Sequence, residues 1–131
     1  MKKKSKSSES YNENLFDKDD MIYQYTSKQA EEDGILFDLT NVSPAIKNSP
    51  FNYATANLIN KGYLKEEKYA IANILDLIHQ AFLIMEKGTK NFTQPDYFFS
   101  GKIELPNGEM QEIFIEQNET GKFTIMLPED R

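Results

Sequence analysis

Residues 65–87, KEEKYAIANILDLIHQAFLIMEK, are apolar around most of a helical circumference. The polar residues of the middle turns, Asn73, Asp76 and Gln80, share a strip only about 60° wide on a helical wheel. A helix of this kind is expected to be covered on more than one side, so this segment predicts the central element of the domain. Its apolar side is formed by Ile71, Ile74, Leu75, Ile78, Phe82 and Met85.

Beyond residue 96 the apolar pattern changes from helical spacing to alternation, which is typical of strands. Three strands are predicted, at residues 97–105, 110–117 and 122–128. Asn107-Gly108 lies between the first two strands, and this dipeptide favours a tight hairpin turn. Short turns between consecutive strands predict a three-stranded antiparallel meander, one face of which is free to cover the central helix.

Two shorter helices are predicted ahead of the central one. Ser27 is a suitable N-cap for the first helix, and Gly34 is a suitable stop. The second helix is predicted at residues 50–61 and ends before Gly62. Between these helices, residues 35–40 are predicted to form a short strand. The predicted fold class is therefore α+β, with a central apolar helix and two shorter helices packed on a three-stranded antiparallel meander.

The charged residues divide the 131-residue chain into a tail and a domain. Residues 1–20 are rich in lysine, serine and glutamate, which predicts a disordered polar tail. Residues 21–131 are predicted to form a single globular domain. The net charge is −6, and the tail contributes nothing to it because its five lysines balance its five acids. The remaining 10 basic and 16 acidic residues suit a basic protein partner better than a phosphate backbone.

Residue types that the sequence lacks argue against several kinds of site. Without cysteine there is no disulfide framework and no thiolate metal site. With one histidine and no glycine-rich phosphate loop, we expect no metal and no cofactor. No apolar run approaches the roughly 20 residues that cross a bilayer, so a membrane partner is not expected. The N-terminal lysines have no apolar segment behind them, and we expect a cytoplasmic protein.

The candidate catalytic groups are few, and we expect that the protein is not an enzyme. Asp76 and His79 are one helical turn apart, a spacing used in metal-carboxylate helices, but such a site needs ligands from other helices as well. Chemistry by tyrosine and carboxylates would need these groups to converge in one cleft. The candidates for that alternative are Tyr25, Asp33, Asp38 and Asp76.

Aromatic side chains are numerous, with seven Tyr and nine Phe. Their neighbours are mostly acidic or neutral, so core packing and protein contact explain them better than stacking on nucleic-acid bases. Alternation along a strand sends at least one ring of the run Tyr97-Phe98-Phe99 away from the core face. Exposed aromatic residues are common anchors at protein interfaces. The predicted protein-contact residues are Tyr97, Phe98, Phe99, Tyr23 and Tyr25.

Two motifs bracket most of the chain. Residues 22–34, IYQYTSKQAEEDG, match the pattern I-Y-x-Y-[TS]-x-x-Q-A-x-x-D-G, and residues 123–130, FTIMLPED, are close to V/I-T-I-M-L-P-x-E-D. The chain thereby resembles a family of small uncharacterised proteins encoded on plasmids, phages and other mobile elements. This resemblance implies an accessory protein of a mobile element and assigns no enzymatic reaction to it.

These observations predict a small accessory protein that acts by protein–protein binding. Its partner would be a protein of the host or of the element, and modulation of a host defence system or of element transfer is one form that the action could take. Besides the enzyme hypothesis, weak nucleic-acid binding through the lysine-rich tail is an alternative. Pairing of the last strand across a two-fold axis would give a homodimer, which the sequence leaves open.

Overall fold

Within residues 25–89 and 97–131, which the computed structural model describes, the chain forms three α-helices and five strands. Tyr23 and the predicted tail at residues 1–20 lie outside the described residues. The helices are α1 (Ser27–Glu32), α2 (Ala56–Ile59) and α3 (Glu67–Thr89). The strands are β1 (Leu36–Asp38), β2 (Phe51–Thr55), β3 (Phe98–Glu104), β4 (Met110–Gln117) and β5 (Phe123–Met126). Short 3₁₀ turns lie at Leu39–Asn41, Pro44–Asn48 and Pro128–Asp130.

The five strands belong to one mixed sheet in the order β1-β2-β5-β4-β3. β2 runs parallel to β5, and the other neighbouring strands are antiparallel. The structure is an α+β fold with one long helix, but the predicted three-stranded antiparallel meander is wrong because β1 and β2 extend the sheet beyond β5. The parallel pair joins segments that lie on either side of α3 in the chain, so no local pattern indicates it.

β2 replaces the first half of the helix that we predicted at residues 50–61. That prediction relied on the helical spacing of apolar residues. Phe51, Tyr53 and Thr55 also fit a strand, where aromatic and β-branched side chains are favoured. β2 has a neighbouring strand on each side and is largely buried, so tertiary pairing determines its conformation. Helical structure is limited to α2, where the Thr55 hydroxyl accepts a hydrogen bond from the Leu58 amide at 3.4 Å.

The first face of the sheet forms the core together with α3. Ala54, Ile125 and Ile115 lie side by side on β2, β5 and β4, and all three are fully buried. Gly101 on β3 allows the C-terminal half of α3 to approach closely, because a Cβ atom there would lie 2.8 Å from Cδ1 of Ile84. The buried residues of α3 are Ile74, Leu77, Ile78 and Ala81.

α3 buries one side, and the prediction that it would be covered on more than one side is wrong. Ile71, Leu75 and Phe82 belong to the apolar side that we expected to be buried, yet they are 53%, 39% and 47% exposed. The central layer is the sheet, which has α3 on its first face and α1 on part of its second face. Because the sheet is the layer with helices on both faces, α3 needs to bury only the side that contacts the sheet.

α1 lies over the second face of the sheet, where Ala30 is buried. Its N-cap is Thr26 and not the predicted Ser27, because Thr26 and Gln29 exchange the two hydrogen bonds of a capping box. Ser27 instead joins α1 to the turn between β4 and β5. Its backbone N and its Oγ each donate a hydrogen bond of 2.9 Å to the carboxylate of Glu119.

Candidate protein-binding surfaces

A cavity of about 250 Å³ lies on the second face of the sheet, between α1, the paired strands β4 and β5, and the C-terminal 3₁₀ turn. We call it the Tyr25 cavity. Its walls include Tyr25, Ala30, Thr55, Glu116, Thr124 and Asp130. These residues come from parts of the chain that are distant in sequence, so the cavity depends on the sheet order and could not be predicted from local patterns.

Asp130 lines the Tyr25 cavity, and one of its carboxylate oxygens has an unmet hydrogen-bonding capacity among the described residues. Its Oδ1 accepts a hydrogen bond from Asn57 Nδ2 at 2.8 Å. Its Oδ2 is buried and has no hydrogen-bond partner among the residues that the structure describes. Leaving a buried acceptor without a donor is costly. A donor on a bound group, especially an ammonium or guanidinium, would satisfy this oxygen with a charge-assisted hydrogen bond.

Phe98, Arg131 and Glu116 form a connected group beside the cavity. Glu116 lies directly opposite Phe98 in the β3–β4 ladder, so both side chains are on the second face. The Arg131 guanidinium is 4.3 Å from the centre of the Phe98 ring, and its Nε is 3.3 Å from Oε1 of Glu116. The Phe98 ring also meets Phe114 edge-on, with 5.2 Å between the ring centres. Arg131 thus pairs with Glu116, and of the two carboxylates that line the cavity it is Asp130 that has an oxygen without a donor among the described residues.

Tyr25 is half-exposed at the edge of the cavity. Its hydroxyl donates a hydrogen bond to Oδ2 of Asp33, which follows the last residue of α1. This contact ties the polar end of the side chain to α1, and about half of the side chain is exposed. An anchored aromatic ring beside a small cavity has the features of an interface anchor, since little conformational entropy is lost when it binds.

The structure separates the aromatic residues that the sequence grouped together. Tyr25 and Phe98 both lie on the second face near the cavity, and Tyr97 is exposed immediately before β3. Phe99 lies on the opposite face in the core, where its ring centre is 6.1 Å from that of Phe123. Phe98 and Phe99 therefore point to opposite faces, as strand alternation requires. Tyr23 lies outside the described residues.

A second candidate surface follows the exposed side of α3. We call it the α3 seam, and its residues are separated by alternating steps of three and four, the spacing at which two helices pack together. A groove of about 360 Å³ separates the middle of this seam from residues 48–51. The sequence indicated the apolar side but not its exposure. The seam consists of the exposed residues Lys68, Ile71, Leu75 and Phe82, together with Met85, which is partly buried, and Ile78, which is buried and lines the groove.

The carboxylates proposed for the enzyme alternative have separate local roles. Asp38 accepts hydrogen bonds from the backbone N and the hydroxyl of Thr40 at the start of a 3₁₀ turn. Asp76 accepts one from Gln80 on α3, and Asp33 accepts the one from Tyr25. Residues 25–89 and 97–131 contain no group of three or more His, Asp or Glu side chains that could hold a metal ion.

Two buried tyrosines have a raised pKa. For Tyr53 burial is the main cause, and the nearby carboxylates of Glu31, Asp38 and Glu119 raise the pKa further. For Tyr63 burial is again the main cause, with a smaller effect of Asp76. The Tyr63 hydroxyl has no hydrogen-bond partner among the described residues. Neither tyrosine lines the Tyr25 cavity, so these shifts report burial and not an acid–base site.

Comparisons of the chain with protein-family models, with curated proteins and with solved structures found no match. In the part of the chain that the structure describes, no helix combines the length and the apolar character needed to cross a membrane.

Proposed function

We propose that this protein is a small accessory protein of a mobile genetic element, and that it acts in the cytoplasm by binding a protein of the host or of the element. The mobile-element setting is supported by the two bracketing motifs, at residues 22–34 and 123–130. In this proposal, binding modulates a host defence system or the transfer of the element.

The observation that carries the binding function is the Tyr25 cavity, where one Asp130 oxygen has no hydrogen-bond partner among the described residues. The cavity combines a half-exposed aromatic side chain with a buried carboxylate oxygen that has no donor in the part of the chain that the structure describes. We infer that the partner inserts a lysine or arginine side chain, whose stem packs against the ring of Tyr25 and whose cationic end donates to Asp130. The net charge of −6 would also attract a basic segment of the partner.

Affinity capture with matched variants tests this function. The wild-type chain and Tyr25→Ala are used to capture proteins from a lysate of the host, and Tyr69→Ala is the control because Tyr69 is equally exposed but lies on α3. We expect a protein that the wild type and Tyr69→Ala retain and that Tyr25→Ala loses. Equal capture by all three chains would contradict binding at the cavity.

A further inference from the structure

We propose that the α3 seam pairs with the same seam of a second copy of this chain, with the two helices antiparallel. The pairing would use a side of α3 that flanks its contact with the sheet. The Tyr25 cavity lies on the other face of the sheet, so self-association and partner binding use different surfaces. The two proposals can therefore be tested separately.

The exposed apolar part of the seam indicates that another surface covers it. Ile71, Leu75 and Phe82 follow one another at helical spacing, and each leaves a large part of its side chain in water. Contiguous exposed apolar residues on a helix commonly mark an interaction site. The residues at positions 68–85 span about 26 Å of helix, which is long enough for about two and a half heptads of packing.

Lys68 at one end of the seam and Glu86, which follows its other end, point to the second copy as the occupant and set its direction. Lys68 and Glu86 are 18 residues apart, which is five helical turns, so they occupy the same angular position at opposite ends of α3. An antiparallel pair places Lys68 of each copy beside Glu86 of the other. A parallel pair would place like charges together at both ends, which is unfavourable.

The same arrangement brings apolar residues opposite one another in the middle of the seam. When the two-fold axis passes between positions 76 and 77, Ile71 of one copy lies opposite Phe82 of the other, and Leu75 lies opposite Ile78. These are the layers by which antiparallel helices pack side chains into each other's gaps. The groove between α3 and residues 48–51 widens the apolar surface on one side of this contact.

Sedimentation analysis of the full-length chain tests the pairing. At about 100 μM, a concentration that detects weak association, we expect a dimer with twice the chain mass of 15.2 kDa. Leu75→Glu should give a monomer. Leu83→Glu is the matched control, since Leu83 is also about half exposed on α3 but lies outside the seam, and this variant should remain dimeric.

Charge exchange tests the antiparallel direction. Lys68→Glu places two acids together at each end of the pair, so we expect the dimer to dissociate at least about tenfold more readily. Combining Lys68→Glu with Glu86→Lys should restore the dimer, because opposite charges meet again. Failure of this restoration would contradict the antiparallel arrangement.

Two results would overturn the pairing itself. A monomeric wild type would assign the seam to a different occupant. A dimer that persists in Leu75→Glu would assign the dimer to a different surface.

Discussion

The side chain of Gln80 on α3 forms two hydrogen bonds with the backbone of Glu104 at the end of β3. Gln80 Nε2 donates to the carbonyl of Glu104 at 3.1 Å, and the amide of Glu104 donates to Gln80 Oε1 at 2.8 Å. β3 is an edge strand, and these are the two bonds that a neighbouring strand would otherwise supply. Gln80 thus protects one end of the sheet edge and holds α3 against the sheet.

Replacement of Gln80 by alanine should lower the free energy of unfolding by about 1–2 kcal/mol, because two hydrogen bonds to the backbone of Glu104 are lost at once. Chemical denaturation measures the change. Gln111→Ala is the control, since the Gln111 side chain bonds only to the carbonyl of the adjacent residue, Glu112, and should change stability by less than about 0.5 kcal/mol. Equal effects of the two substitutions would show that Gln80 does not support the edge.

Gly101→Ala should destabilise the protein by about 1–3 kcal/mol through overpacking. The added methyl would lie 2.8 Å from Cδ1 and 2.9 Å from Cγ1 of Ile84, and this branched side chain has few other rotamers on a helix. Ser100→Ala, a change on the opposite face of β3, should have little effect. Combining Gly101→Ala with Ile84→Ala should recover part of the loss in thermal unfolding experiments. No recovery would place the strain elsewhere.

The contribution of Glu119 to the free energy of unfolding should be lost at acidic pH. Burial raises its pKa, but the hydrogen bonds donated by its own amide and by Ser27 outweigh burial, so the pKa lies below its usual value. A carboxyl group with a lowered pKa in the folded state stabilises the fold above the unfolded pKa of about 4.5, and this contribution is lost as the pH falls through the folded value.

Glu119→Gln should therefore lower stability at pH 7 by about 1 kcal/mol, since water screens the exposed carboxylate. The difference between Glu119→Gln and the wild type should shrink below about pH 4. Glu112→Gln, which changes an exposed carboxylate on β4, serves as the control in the same series of unfolding curves. A difference that does not change with pH would contradict the role of the ionised carboxylate.

Tyr63→Phe should raise the free energy of unfolding by about 1 kcal/mol. The hydroxyl of Tyr63 is buried without a partner among the described residues, so its removal relieves a desolvation cost without creating a large cavity. Tyr69→Phe should leave stability unchanged, because Tyr69 is half exposed. A loss of stability in Tyr63→Phe would show that the hydroxyl has a partner in the folded protein.

The sequence predicts elements whose conformation depends on local chemistry. α3 occupies the predicted region, and the turn at Asn107-Gly108 connects β3 and β4, with Gly108 at a φ of +92° that favours glycine. β2 was not predicted because the apolar residues of this segment fit both helical spacing and strand alternation. The pairing of β2 with the distant β5 decides between the two conformations. The exposure of the α3 seam was also missed, since hydropathy shows which residues are apolar but not which elements cover them.

The candidate sites were predicted only in part for the same reason. Tyr25 and Phe98 were identified as contact residues from composition and strand alternation, and both lie at the second face. The part played by Asp130 depends on the 3₁₀ turn that brings it to Asn57, 73 positions away in the chain. Such long-range pairings follow from the sheet order and have no signature in the sequence.

Titration of the captured partner into the wild type, Asp130→Asn and Glu129→Gln by calorimetry tests the proposed binding site most directly. Glu129 is an exposed neighbouring carboxylate, so its variant controls for the loss of one negative charge. We predict that Asp130→Asn weakens binding about tenfold or more, because a charge-assisted hydrogen bond is lost, and that Glu129→Gln changes the affinity less than about twofold. Equal affinities of the wild type and Asp130→Asn would contradict binding of a cationic side chain in the Tyr25 cavity.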